Sequence, residues 1–218
     1  VYFGIFQGGW RIFPAIYTIA LVVMAIATFA IVPRQDKVAG AGKPLGAMLA
    51  PLRHIRVWRF SLYYAAVFGA YVALSAWLPK YYVDNFDIEL KTAALLTATF
   101  IFPASLLRPV GGFFSDRFGA RRVIYWTFGA MLVTTGSLMM PNGHLVIAHP
   151  DGSQSQHLTY NMALTPFVIV VFLLGCAMGI GKAAVYKHIP EYFPDNVGSV
   201  GGLVGMFGGL GGFVLPPL

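Results

Sequence analysis

The stretch Gly112-Phe-Phe-Ser-Asp116-Arg-Phe-Gly119-Ala-Arg-Arg122 joins two long apolar segments of the chain. Gly112 permits close helix packing and Gly119 permits a tight turn, because glycine carries no Cβ. Asp116 is placed to pair with a basic residue or with a helix N-terminus. Such contacts can hold one conformation until the helices move. We therefore interpret this stretch as a gating loop formed by Gly112, Asp116, Arg117, Gly119, Arg121 and Arg122.

The composition around the gating loop indicates a membrane protein. Of the 218 residues, 57% are hydrophobic and only 11% are charged, whereas a soluble domain carries about 25% charged residues. Six apolar segments approach the ~20 residues that cross a bilayer, and each must be a helix because its backbone has to satisfy its own hydrogen bonds in lipid. The predicted spans cover residues 12–32, 60–78, 93–114, 123–140, 164–185 and 198–215. The sequence therefore predicts an all-α, multi-pass membrane protein.

Loop charges predict the orientation of these spans. The loops on the same side as the gating loop carry a first set of ten basic residues, and the loops on the other side carry a second set of three. The side with ten is expected to be cytoplasmic. The net charge of +7 arises mainly from these short loops, which excludes nucleic acid as a partner. The first set is Arg34, Lys37, Lys43, Arg53, Arg56, Arg59, Arg117, Arg121, Arg122 and Lys187, and the second is Arg11, Lys80 and Lys91.

The loop of residues 141–161 is then external. It holds His144, His149 and His157, whose spacing matches no metal pattern, so we expect a solvated loop there. The single cysteine, Cys176, lies in an apolar run and can form no intrachain disulfide. Neither feature points to a metal or to another cofactor.

Arg108 lies inside the third predicted span, eight residues before Asp116, or ~12 Å along a helix. A charge at that depth is costly, and it is usually paired, bound to an anion or extended to the interface. The acids all lie in loops or at span ends, so none is available inside a span. Pro103 and Pro109 flank Arg108 and are expected to bend the helix. An unpaired guanidinium that faces a cavity suits a planar anion, because its fork donates two parallel hydrogen bonds.

The last predicted span is rich in glycine. Helix packing through small residues is one interpretation. The other is that bare backbone approaches a small ligand or lets the helix bend, with Gly205 and Gly209 as the candidates. The glycines are residues 198, 201, 202, 205, 208, 209, 211 and 212.

Two stretches resemble a known family. The gating loop resembles the signature G-x-x-x-D-R-x-G-x-R-R of the major facilitator superfamily, with every position filled. The stretch from Gly179 to Pro194 and the glycine-rich helix after it resemble the nitrate/nitrite porters of that superfamily. This resemblance implies a twelve-helix fold, of which the predicted spans are helices 6 to 11. Residues 1–33 then hold helix 6 with its preceding loop, 34–59 the basic central loop, and 60–218 helices 7 to 11.

The resemblance also implies a substrate site and its partners. Arg108 falls where the family has its second substrate arginine, and Tyr64 and Phe68 match an aromatic pair beside the anion. Lys182 departs from the porters with a neutral segment here and is similar to the nitrate/proton symporter-like subgroup. Two alternatives stay open: the side chain of Lys182 extends to the membrane interface, and Tyr64 and Phe68 are ordinary packing residues. We expect both ends of the chain to be cut, with helix 12 and the N-terminal half, which holds the first substrate arginine, outside it.

The resemblance implies a secondary transporter of nitrate in the cell (inner) membrane that works by alternating access, with nitrite as a further substrate and protons as a potential coupling ion. Symport and antiport both stay open. A carrier of the same superfamily for another small anion, such as a carboxylate, is the first alternative. An integral-membrane enzyme is the second, but it needs a nucleophile, metal ligands or paired acids near the spans. Because the spans offer no such set, we expect no enzyme.

Overall fold

The structure, a computed structural model, describes residues 12–31, 44–139, 143–148, 154–160 and 162–215, and for 143–160 only the backbone. The chain divides into two units, Val1–Lys43 and Pro44–Leu218. The first unit contains helix α1, Ile12–Ile31, whose 20 residues include no charged side chain and none that is buried within the unit. A helix that is apolar on every side is typical of a membrane span.

The described residues of the second unit form helices and one β-hairpin. Strands β1 (Gly143–Ala148) and β2 (Gln154–Tyr160) pair antiparallel within the predicted external loop, with an irregularity in register between Leu145 and Val146. The side chains of His144, His149 and His157 lie outside the described residues. The elements are α2 Leu45–Leu49, a 3-10 turn Ala50–Arg53, α3 Ile55–Tyr64, a π-helical turn Ala65–Gly69, α4 Ala70–Phe86, α5 Leu90–Leu106, α6 Arg108–Phe118, α7 Ala120–Leu138, β1 Gly143–Ala148, β2 Gln154–Tyr160, α8 Leu164–Tyr192, a 3-10 turn Pro194–Asn196 and α9 Val197–Val214.

The helices follow the predicted spans closely. In the described residues, four helical segments are long and apolar enough to cross a membrane: Ile12–Ile31, Ile55–Phe86, Leu164–Tyr192 and Pro194–Val214. A fifth results if α5 and α6, which meet at 41°, form one broken span. Helix α7 coincides with the remaining predicted span but is less apolar, because Arg121 and Arg122 lie in its first turn. The all-α, polytopic fold class is confirmed, and the second predicted span begins at Ile55, earlier than expected.

Helix α8 packs closely against α5 and α6 because small residues line its contact face. A Cβ placed on Gly175 would lie 2.6 Å from the carbonyl oxygen of Phe100, and one on Gly179 would lie 2.7 Å from that of Pro103. From the other side, a Cβ on Gly111 would approach the carbonyl oxygen of Ile180 to 2.5 Å. A Cβ on Gly112 would meet nothing within 4 Å in the described chain. Within the described residues, its neighbour Gly111 makes the close contact that was predicted at Gly112.

Candidate functional site

A break between α5 and α6 positions Arg108. Helix α5 ends at Leu106, Leu107 adopts φ −82° and ψ 3°, and α6 begins at Arg108. Pro109 follows immediately and has no N–H, so it cannot continue the ladder of α5, and its ring crowds the preceding turn. Pro103 lies inside α5, one turn earlier. The predicted bend is confirmed, and it places the guanidinium at the first residue of the new helix.

Two cations lie near one aromatic ring. The Cζ atom of Arg108 is 6.0 Å from the centroid of the Phe68 ring, and the Nζ atom of Lys182 is 5.6 Å from the same centroid. Neither cation belongs to an ion pair among the residues that the structure describes. Arg108 is exposed in this chain, whereas Lys182 is 1% exposed. The site therefore concentrates positive charge at Phe68 without a neighbouring carboxylate in the described residues.

Lys182 points into the bundle. Its Nζ donates a hydrogen bond of 3.1 Å to the carbonyl oxygen of Ala104, near the break, and lies 3.2 Å from the centroid of the Tyr71 ring. Tyr71 also contacts Ser105, with 3.2 Å between the two hydroxyl oxygens. The interpretation that Lys182 extends to the interface is therefore wrong. Lys182 instead connects α8 to the broken span and to the aromatic residues.

The aromatic side of the site runs along the helical segment Ile55–Phe86. The rings of Tyr64 and Phe68 stack with centroids 5.1 Å apart, and those of Phe68 and Tyr71 lie 6.3 Å apart. The structure thus brings the predicted pair together with Arg108 and Lys182. Tyr71 was not among the predicted residues, although it continues the same helical face, three positions after Phe68.

A π-helical turn interrupts this segment at the site. It covers Ala65–Gly69, and the N–H of Ala70 donates to the carbonyl of Ala65, five residues back. Such turns are rare and occur frequently at functional sites. The turn contains Phe68 and directly follows Tyr64, so the irregular backbone coincides with the aromatic pair.

Glycines of α9 allow the aromatic side to be approached closely. A Cβ on Gly208 would overlap the ring of Tyr64, and one on Gly205 would lie 2.8 Å from the Tyr186 hydroxyl. A Cβ on Gly209 would meet nothing within 4 Å in the described residues. Of the two predicted glycines, Gly205 thus borders a residue that touches Tyr64, whereas Gly209 faces open space. Gly208, which the sequence did not single out, makes the closest contact.

Tyr186 links α8, α9 and the aromatic pair. Its ring packs edge-on against Tyr64 with centroids 4.9 Å apart, and its hydroxyl donates a 3.3 Å hydrogen bond to the carbonyl oxygen of Gly201. Tyr186 was not among the predicted site residues. Tyr186 lies one helical turn from Lys182, and that spacing is the signal that could have placed it at the site.

The gating loop forms a tight turn between α6 and α7. Gly119 has φ +87° and ψ 133°, a backbone conformation that glycine tolerates and other residues rarely adopt, which confirms its predicted role. Asp116 forms an ion pair with Lys187 of α8, and both side chains are about half exposed. The prediction that Asp116 pairs with a basic residue is confirmed. This pair ties the end of α6 to α8.

The other charged residues of the loop make weaker contacts. The Cζ atom of Arg117 lies 5.7 Å from the ring centroid of Phe118, and Arg121 Nη2 donates a 3.4 Å hydrogen bond to the Tyr192 hydroxyl. The backbone N–H of Arg122 donates to the carbonyl of Gly119 at 3.1 Å. The loop is therefore anchored through Asp116, Gly119 and Arg121.

The described part of the basic segment lies at the same end of the second unit as the gating loop. Arg56 and Arg59 line a cavity of about 300 Å³ together with Arg121. Arg56 and Arg59 of the basic segment and Arg121 of the gating loop, which the sequence assigned to one side of the membrane, therefore share one end. Arg34, Lys37 and Lys43 lie outside the described residues.

Comparisons with known proteins extend the likeness over the whole chain. The model of the Major Facilitator Superfamily matches residues 2–216. "Probable nitrate/nitrite antiporter NarK1" of Thermus thermophilus is 62% identical over 215 residues, 99% of this chain and 48% of the relative. "Probable nitrate transporter NarT" of Staphylococcus epidermidis is 33% identical over 216 residues, 96% of this chain and 49% of the relative. "Nitrite extrusion protein" of Bacillus subtilis is 30% identical over 210 residues, which are 96% of this chain and 48% of the relative. The chain spans about half the length of these curated relatives.

Proposed function

The chain belongs to the major facilitator superfamily, and from that membership we propose that it forms one half of a secondary transporter that moves nitrate across the cell membrane by alternating access. It is a multi-pass membrane protein of a family of transporters rather than of enzymes. Nitrite is the second substrate that we propose, in keeping with the names of the relatives. In such transporters the ligand binds near the midplane, between two pseudo-symmetric halves. The other half of the bundle is therefore a required partner, and helices 6 to 11 remain the proposed assignment.

The observation that carries this proposal is the pair of cations at Phe68. Arg108 is exposed at the break of α5 and α6, and the buried Lys182 lies against the same ring. A guanidinium donates two parallel hydrogen bonds to a planar anion such as nitrate, while an ammonium acts as a point charge. Tyr64 and Phe68 then supply a flat wall. The partner half would close the site over Arg108 and supply the first substrate arginine.

The charge of this site constrains the transport cycle. Two cations in a low-dielectric environment repel each other and are costly without an anion. A transporter with an empty site is therefore expected to reorient slowly, because the two unneutralised cations raise the energy barrier. An anion bound during the return step lowers that barrier. This argument favours exchange of nitrate for nitrite. Symport is the competing mechanism, and it requires another way to lower the charge, such as loss of a proton from Lys182 at the cytoplasmic side.

Uptake of ¹⁵N-nitrate into proteoliposomes of the full-length protein tests the proposal. We expect internal nitrite or nitrate to accelerate uptake, and internal formate to leave it unchanged. Acceleration by formate equal to that by nitrite would indicate a carrier for carboxylates instead. Uptake into vesicles without an internal anion, driven by an acidic exterior, would establish proton symport in place of exchange. Absence of nitrate uptake under every condition would refute the proposed substrate.

A further inference from the structure

A second cationic site lies at the gating-loop end of the bundle, among α3, α7 and α8. It is the cavity of about 300 Å³ that Arg56, Arg59 and Arg121 line. We call it the end cavity. Its lining consists of Ile55, Arg56, Arg59, Phe60, Tyr63, Arg121, Ile124, Tyr125, His188 and Tyr192.

The end cavity collects positive charge. Three of its lining residues are arginines and none is an acid. The ion pairs that the described residues form leave all three arginines without a carboxylate partner. Outside the lining, a carboxylate oxygen of Glu191 lies 3.4 Å from Nδ1 of His188. Unpaired guanidinium groups around one cavity favour a bound anion.

Tyr192 organises two of these arginines. The Cζ atom of Arg56 lies 5.3 Å from the centroid of its ring, and Arg121 Nη2 donates to its hydroxyl at 3.4 Å. Phe60 stacks on His188 behind them, with centroids 5.4 Å apart and planes inclined by 13°. Contacts with Tyr192 therefore hold Arg56 and Arg121 in place. The N–H groups that these contacts do not use can bind a ligand.

The end cavity is separate from the site at Phe68. Tyr63 lines the cavity and Tyr64 contacts Phe68, and consecutive residues of an α-helix point ~100° apart. Arg59 precedes Phe68 by nine residues, which corresponds to ~13 Å along the helix. A ligand in the end cavity therefore does not occupy the proposed nitrate site.

The size and charge of the end cavity match a phosphate ester better than nitrate. Liquid water takes up ~30 Å³ per molecule, so a single nitrate would leave most of the roughly 300 Å³ unfilled. Several guanidinium groups match the several oxygens and the charge of a phosphate. At the rim, Ile55 is 72% exposed and Tyr125 is 65% exposed. Exposed apolar and aromatic residues next to arginines at a span end are typical of the membrane interface, where basic pockets between helices hold lipid headgroups.

We propose that the end cavity binds the phosphate headgroup of an anionic phospholipid. The phosphate lies among Arg56, Arg59 and Arg121, and the acyl chains leave the cavity past Ile55 and Tyr125. Because the cavity joins α3, α7 and α8, a bound headgroup holds these three helices together at the end that carries the gating loop.

Native mass spectrometry of the full-length protein tests this inference. After partial delipidation, binding of phosphatidylglycerol is compared with binding of phosphatidylcholine. We expect the wild type to retain phosphatidylglycerol selectively. The double variant Arg56→Gln/Arg59→Gln should bind it at least ~10-fold more weakly, because it loses charge-assisted hydrogen bonds. The matched control Lys80→Gln/Lys91→Gln removes the same charge at the opposite end and should bind like the wild type.

Equal retention of both lipids by the wild type, or an equal loss in both double variants, would overturn the inference. The variant Arg59→Lys keeps the charge and should retain most of the selectivity, and monodisperse elution checks that each variant is folded. Inorganic phosphate and glycerol 3-phosphate are added as competitors. If either displaces phosphatidylglycerol at a matching concentration, the site binds soluble phosphates and the lipid assignment fails. None of these measurements uses nitrate, so the result is independent of the proposed function.

Discussion

Replacing Arg108 by lysine separates charge from geometry at the proposed nitrate site. The Cζ atom of Arg108 lies 6.0 Å from the Phe68 centroid, and Lys182 already places an ammonium 5.6 Å from it. A lysine at position 108 therefore keeps the net charge and loses only the planar fork. One lost charge-assisted hydrogen bond costs about 1.5–3 kcal/mol, which raises the Kd for nitrate about 10- to 150-fold.

Thermal stabilisation by nitrate measures this loss in the full-length protein. A ligand at 100 times its Kd stabilises the folded state by about 2.7 kcal/mol. At the same nitrate concentration, the Arg108→Lys protein should gain only about 0.3–1.4 kcal/mol. The matched control is Arg53→Lys, because Arg53 is exposed and lies outside both the nitrate site and the end cavity. It should respond to nitrate like the wild type.

Two results would refute the reasoning about Arg108. Wild-type stabilisation of the Arg108→Lys protein would mean that a point charge is enough and that the fork has no role. Near-normal nitrate uptake by the Arg108→Ala protein in proteoliposomes would remove Arg108 from the site. Loss of the nitrate response in both Arg108→Lys and the control would instead indicate general destabilisation.

Three further changes follow from the contacts. Tyr64→Phe keeps the stacked ring and loses one hydroxyl, so its Kd for nitrate should rise less than that of Arg108→Lys; a larger rise would mean that the hydroxyl binds the anion. Gly208→Ala should lower stability by about 1–3 kcal/mol, because the added Cβ would overlap the ring of Tyr64. The matched Gly209→Ala should be neutral or stabilising. Thermal unfolding in detergent measures both, and a less stable Gly209→Ala protein would contradict this packing. Asp116→Asn should shift stability by no more than about 1 kcal/mol, because the ion pair with Lys187 is half exposed. The same change should alter the rate of nitrate exchange in proteoliposomes. An unchanged rate would exclude a gating role for that ion pair.

The spans and the gating loop could be predicted from the sequence because they depend on local properties. Hydropathy locates apolar helices, and Gly119 is required where φ is +87°. The placement of Tyr64, Phe68 and Arg108 came from a resemblance, and the structure brings these three residues together.

The misses concern the direction in which side chains point. Gly111 and Gly112 are adjacent in sequence but point ~100° apart, and the choice between them depends on how α6 packs against α8. Tyr186 lies just past the predicted end of its span at residue 185 and was not among the predicted site residues. Its contact with Tyr64 depends on the tertiary arrangement of three helical segments, which hydropathy does not encode. The π-helical turn has no known signature in the sequence.

The π-helical turn gives the segment Ile55–Phe86 one residue more than a regular α-helix would have between the same two flanking turns. Each bond in the turn reaches five residues back rather than four. Deleting one residue of Ala65–Gly69 would let ordinary α-helical bonds re-form, so the residues on both sides would keep their directions. The same deletion anywhere else in the segment would rotate everything beyond it by ~100° and turn buried faces outward. The turn is thus the place in this segment where evolution can change the number of residues without changing what each face of the helix touches.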